Sequence, residues 1–93
     1  MRPALIIQSD EIDSELFQAI VAMISSNIKR AGRKSRVLVK TDSAQGKVSG
    51  LLFDSVVMTD NLATVLNSQI IRIIGRLDDM SDVDNALRHS LKL

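Results

Sequence analysis

A run of cations breaks an otherwise even spread of charge: Lys29, Arg30, Arg33, Lys34 and Arg36 fill five of the eight positions from 29 to 36. Such side chains hold phosphate oxygens by charge and by directed N–H donors, which positions a nucleic-acid backbone without reading its bases. The same run also suits a loop that keeps its charges in water. Phe17 and Phe53 are the only aromatic residues, so base stacking is not the main source of any affinity for a single strand. His89 is the one histidine. On a helix carrying Met80, Val83, Leu87 and Leu91 as its apolar stripe it lies about 180° from that stripe, which faces it to solvent rather than into an acid–base site. The acidic groups Asp10, Glu11, Asp13, Glu15 and Asp78, Asp79, Asp82, Asp84 lack the glycine and terminal glutamate of a calcium loop; a solvated surface and a helix start explain them. There is no phosphate-cradling glycine loop, nucleophile elbow or paired-histidine zinc motif, and neither metal nor cofactor is expected.

These side chains must be carried by one small domain. Ninety-three residues, 45% hydrophobic and 25% charged, suffice for a single core and sit far from disordered compositions. Without cysteine, stability must come from packing or from a second chain, and a domain of this size gains from a dimer interface. A net charge of +1 gives no global pull on nucleic acid or membrane, so an anionic partner must be held locally. No apolar run is long enough to span a bilayer and no export signal opens the chain, which predicts a cytoplasmic protein without a membrane partner.

Element by element, Ala4 to Gln8 predicts a strand with Pro3 at its mouth, and Ser9 to Leu16 an acidic connection with one helical turn at most. Phe17 to Ile24 is apolar on both parities, as in a strand covered on both faces, and a partner subunit is one candidate for the second cover. Val37 to Val39 and Val56 to Thr59 predict two more strands. Thr41 to Gly50, polar with two glycines, reads as a long hairpin connection. Gln69 to Leu77 predicts a fifth strand, with Gly75 at a bulge or close backbone approach, and Met80 to Leu91 the C-terminal helix. The expectation is a mainly β fold of four or five strands with one helix against it, in a single domain over residues 1–93.

Four ordered phrases resemble the MazF/PemK toxins of bacterial toxin–antitoxin pairs, which are ribosome-independent endoribonucleases. Arg2-Pro3-Ala4-Leu5-Ile6-Ile7-Gln8 resembles the family's Arg-Pro-x-Leu-Val-Val strand. Ala19 to Asn27 resembles its strand ending in a Thr-Ser or Thr-Ala turn. Asp54-Ser55-Val56-Val57 with Asp60 to Val65 is similar to its Asp-Ser-Val-Val, Gln-Ile-x-Thr-Val stretch. Ile74-Gly75-Arg76-Leu77 with Val83 to Leu87 is similar to its Gly-Arg-Leu, Val-Asp-x-Ala-Leu ending. The resemblance implies an SH3-like barrel with a C-terminal helix, a homodimer holding single-stranded RNA near its interface, and a cognate antitoxin. It also implies sequence-specific, metal-independent cleavage, in which the ribose 2′-hydroxyl attacks the adjacent phosphate.

By the same resemblance Arg2 stands at the catalytic arginine and Ser25 at the catalytic threonine. Ser26, Lys29, Arg30, Arg33 and Asn61 are implied RNA contacts, Asn61 replacing the usual glutamine. Read without the resemblance, Arg2 is a residue near a terminus and Ser25 a hydroxyl satisfying a strand end. Family members usually carry a Gly-Asp-Ile-Val strand and a glycine-rich loop before the arginine, whereas here Met1 immediately precedes Arg2. The resemblance therefore implies a barrel incomplete at its N-terminal side, from a late start codon, an inactive remnant or a strand supplied by a partner. The rival function is a silent toxin-like module that dimerises and binds antitoxin.

Overall fold

A computed structural model describes residues 2–8 and 17–93; the acidic connection from Ser9 to Leu16 falls outside them. Strands β1 (Ala4–Ile6), β2 (Gln18–Ser25), β3 (Arg36–Val39) and β4 (Ser55–Leu66) form one antiparallel sheet in the order β1-β2-β4-β3. Helix α1 (Ala44–Ser49) joins β3 to β4, and helix α2 (Ser81–Leu91) closes the chain. The fold is mainly β with a C-terminal helix, as the sequence predicts.

The core lies where the central strands present branched side chains to one face: Ala22, Ile24, Val39 and Val57 cluster, with Leu5, Ile7, Val37, Leu51 and Leu62 packed around them. Burial on both faces, expected for β2, extends from Val21 through Ile24 and continues in β4 from Ser55 to Thr59. A bulge in β4 bends the sheet into a half barrel. Met23 pairs with Met58 and Ala22 with Leu62, so Thr59, Asp60 and Asn61 stand opposite a single step of β2. Because three residues are extra, alternation inverts across the bulge: Val57 faces the core before it and Leu62 after it.

Helix α2 packs on β3 and β4 through Val83 and Ala86, which are buried, while Leu91 at the end of the predicted stripe is 51% exposed. His89 is exposed, as its angular position predicts. The fully buried Thr59 ties helix to sheet. Its hydroxyl lies 2.6 Å from the Ser35 carbonyl and 2.8 Å from Ser90 Oγ; with its one proton given to Ser35, it accepts from Ser90.

Three expectations are corrected. The Thr41 to Gly50 connection contains α1: Ser43 Oγ caps it by accepting the Gly46 N–H at 3.0 Å, and Gly50 ends it in the left-handed region at φ 74°. Strand β4 does not stop at Thr59 but runs on to Leu66, since the bulge absorbs the polar Asp60 and Asn61. The fifth strand is absent among the described residues. Beyond the short turn Asn67–Gln69, the isoleucine-rich segment has, among the described residues, one backbone bond to the rest of the fold, Arg76 N–H to Val48 O at 3.0 Å, and no strand alongside to complete a ladder. The close approach expected at Gly75 does occur, against the backbone of Val48 and Ser49, where a Cβ would collide.

Candidate active site

Antiparallel pairing brings the two candidate catalytic residues side by side. The register sets Ala4 against Met23; continued two residues along each strand, it sets Arg2 opposite Ser25. Both then share the face of Met23 and Met58, opposite the core face of Ile24 and Val57. Arg2 is exposed and Ser25 half buried. Ser25 Oγ accepts the Asn27 N–H at 3.1 Å, and Asn27 Oδ1 in turn accepts the Lys29 N–H at 3.2 Å, capping the short helical turn Ile28–Arg30. Ser25 thus satisfies a backbone donor while its own hydroxyl proton remains available to an incoming oxygen.

The basic run keeps most of its charges in water but is anchored at its ends. Arg36 grips Asp60 with two parallel bonds, Nε to Oδ1 at 2.8 Å and Nη2 to Oδ2 at 2.9 Å, and donates a third from Nη1 to the Arg30 carbonyl at 2.8 Å. These bonds, with that of the Thr59 N–H to Ser35 O at 3.0 Å, clip both ends of the run to the bulge of β4. The Arg36 bonds hold the Asp60 carboxyl below the usual carboxylate range, and Asp60 in turn raises Arg36. Arg36 is therefore occupied, whereas Lys29, Arg30, Arg33 and Lys34 are exposed. Arg30 Nη1 lies 3.9 Å from Met58 Sδ, which brings its guanidinium over the face that Ser25 shares.

Of the residues singled out by sequence, Arg2, Ser25, Ser26 and Arg30 come together at one end of β2, with Lys29 on the adjoining turn. Arg33 lines a cleft between the loop and α2. Asn61 lies in the bulge, next to Leu62, whose partner Ala22 is three residues along β2 from Ser25. Sequence reasoning missed Asn27 and the Arg36–Asp60 clip. The one available signal for the clip was an aspartate inside an apolar run.

Comparison with known proteins follows the same outline. The model of a family described as PemK-like, MazF-like toxin of type II toxin–antitoxin system matches residues 1–91. The chain is 34% identical over 95 aligned residues to Endoribonuclease EndoA of Bacillus subtilis (strain 168), spanning all of this chain and 78% of that protein. It is similar in structure to the Mycobacterium tuberculosis toxin MazF-mt6, with a TM-score of 0.80 and 28% identity over 99% of this chain and 87% of that one. A second solved structure, described as a crystal structure of Mtb toxin, gives a TM-score of 0.76 and 27% identity over 96% and 91% of the two chains.

Proposed function

This chain belongs to the PemK-like, MazF-like toxin family of type II toxin–antitoxin systems, and on that premise we propose that it is an endoribonuclease. Its substrate is single-stranded RNA, cut at a preferred sequence without a metal ion, and a cognate antitoxin neutralises it. It works in the cytoplasm as a homodimer.

The observation that carries this reading is the continued β1–β2 register, which pairs a guanidinium with a hydroxyl at one end of β2. In the reaction the ribose 2′-oxygen forms a bond to phosphorus and loses its proton, while the P–O5′ bond breaks and the leaving oxygen gains one. The products are a 2′,3′-cyclic phosphate and a 5′-hydroxyl. Charge builds on the phosphate oxygens in the transition state, and the two-pronged N–H donors of Arg2 match it there or protonate the leaving oxygen. Ser25 donates its free hydroxyl proton to a phosphate oxygen, with the Asn27 bond limiting its rotation. Lys29, Arg30 and Arg33 hold flanking phosphates by charge and Ser26 by a hydroxyl hydrogen bond, and the clip saves those contacts part of the cost of ordering a loop.

The test is to incubate the chain and its Arg2→Ala variant with a long single-stranded RNA in the presence of a chelator and to map the fragment ends. Discrete cuts ending in 2′,3′-cyclic phosphates, reduced at least about a hundredfold in the variant, are the expected outcome. Cutting that needs added magnesium overturns the mechanism. No cutting by a folded dimer leaves the silent module as the better reading.

A further inference from the structure

Between the clipped loop and α2 lies a cleft of about 410 Å³. Its lining is sorted by chemistry along the helix. Asp82, Asn85 and His89 stand at helical spacing on one face of α2, so Asp82 and His89 lie about 10 Å apart along the axis. The hydrogen bonds that Thr59 makes to Ser35 and Ser90 bring the end of the basic run to the C-terminal end of α2. Arg33 and Lys34 therefore join His89 at one end, while Asp82 stands at the other. Leu38, 48% exposed, supplies apolar wall.

Resting on the nuclease reading, we infer that this cleft is a subsite for one nucleotide of the RNA, outside the Arg2–Ser25 centre. A nucleotide has the same three parts as the lining: an anion, a flat apolar ring and a hydrogen-bonding edge. The volume suits one such unit. Arg33 and Lys34 take the phosphate, joined by an imidazole N–H that His89 offers in either protonation state. Asp82 accepts from an exocyclic amine of the base, which selects cytosine, adenine or guanine over uracil. Asn85 has its Oδ1 engaged by Arg88 Nη1 at 3.3 Å, which leaves its NH2 to donate to a ring acceptor. An acidic peptide fits less well, because Asp82 repels its carboxylates.

The cleft joins the active face through shared residues. Arg36 lines it and also holds the Arg30 carbonyl, and Leu38 pairs with Val56, the partner of Ser25. Two interstrand steps, about 10 Å, separate the backbones of Leu38 and Ser25. A single strand covers that span in about three stacked nucleotides, so the subsite reads a base near the cut rather than a remote one.

Calorimetric titration of the full chain with inorganic phosphate, UMP, CMP and GMP tests the inference. CMP and GMP are expected to bind about tenfold more tightly than UMP. Asp82→Ala removes that preference while leaving phosphate affinity within about twofold, and His89→Gln weakens all four probes. Both side chains are exposed, so both variants fold, which a melting curve checks. Equal binding of UMP and CMP by the wild type overturns the subsite, as does nucleotide binding that neither variant alters. Binding of an oligoglutamate peptide but not of nucleotides, lost in His89→Gln, overturns it in favour of a protein ligand. The chelator assay is read separately: cutting without base preference in these titrations sinks the subsite alone, and nucleotide binding without cutting sinks the nuclease alone.

Discussion

Two segments reverse what their residue types suggest. The run from 29 to 36 has the composition of a solvated loop, yet its ends are fastened by Arg36, Ser35 and the bulge of β4. The segment from 70 to 77 has the composition of a buried strand, yet Ile71 and Ile73 are each 70% exposed and a single backbone bond reaches it from α1. What differs is the supply of partners. A guanidinium with five donors can satisfy two carboxylate oxygens and a carbonyl at once, so one charged residue organises a loop. Isoleucines have no directed bond to offer, and their backbone makes a strand only where another edge lies beside it.

The contrast breaks most readily at Thr59. Thr59→Val keeps the shape but removes the bonds to Ser35 and Ser90 at a fully buried point, for an expected loss of about 2 kcal/mol in urea unfolding. Unchanged stability would show that the loop is held by its other contacts. Next in size is an acid dependence. The Asp60 carboxyl is depressed in the folded chain by Arg36, so its stabilisation is full above the ordinary carboxylate value of about 3.9 and is lost as pH falls through the lower folded value. Unfolding midpoints of the wild type and Asp60→Asn should therefore differ at pH 7 and converge in acid, once pH falls below the lowered folded value. A gap that persists in acid would assign the effect to something other than the ion pair. The smallest effect belongs to the other segment: Ile71→Ser and Ile73→Ser should each move stability by no more than about 0.5 kcal/mol in the isolated protomer. A larger loss would mean that a second chain covers these side chains in solution.

Legibility in the sequence followed the range of the interaction. Helix α2 was readable because its spacing, its acidic start and its basic end are local. Helix α1 was hidden: its caps Ser43 and Gly50 are in place, but Gly46 inside it looked like a second turn residue, and the stretch read as a hairpin connection. In fact Gly46 is buried because α1 lies directly on the backbone of Lys40 and Thr41. The far half of β4 was hidden by Asp60 and Asn61, ordinary turn residues that here fill a bulge. Of the candidate site, Arg2 and Ser25 came from family phrases, and spacing alone would not have joined them. The partnership of Arg36 with Asp60 joins two strands, and its one local trace, an aspartate inside an apolar run, does not name its partner.

The bulge also makes this corner tolerant of length. Leu62 holds its place in the core because it pairs with Ala22, however many residues loop out before it. Losing one of Thr59, Asp60 and Asn61 would leave two residues in the bulge and return the strand to unbroken alternation, with Leu62 still on the face of Val57. Insertions and deletions here should therefore spare the far half of β4 and cost only what the lost residue's own bonds are worth.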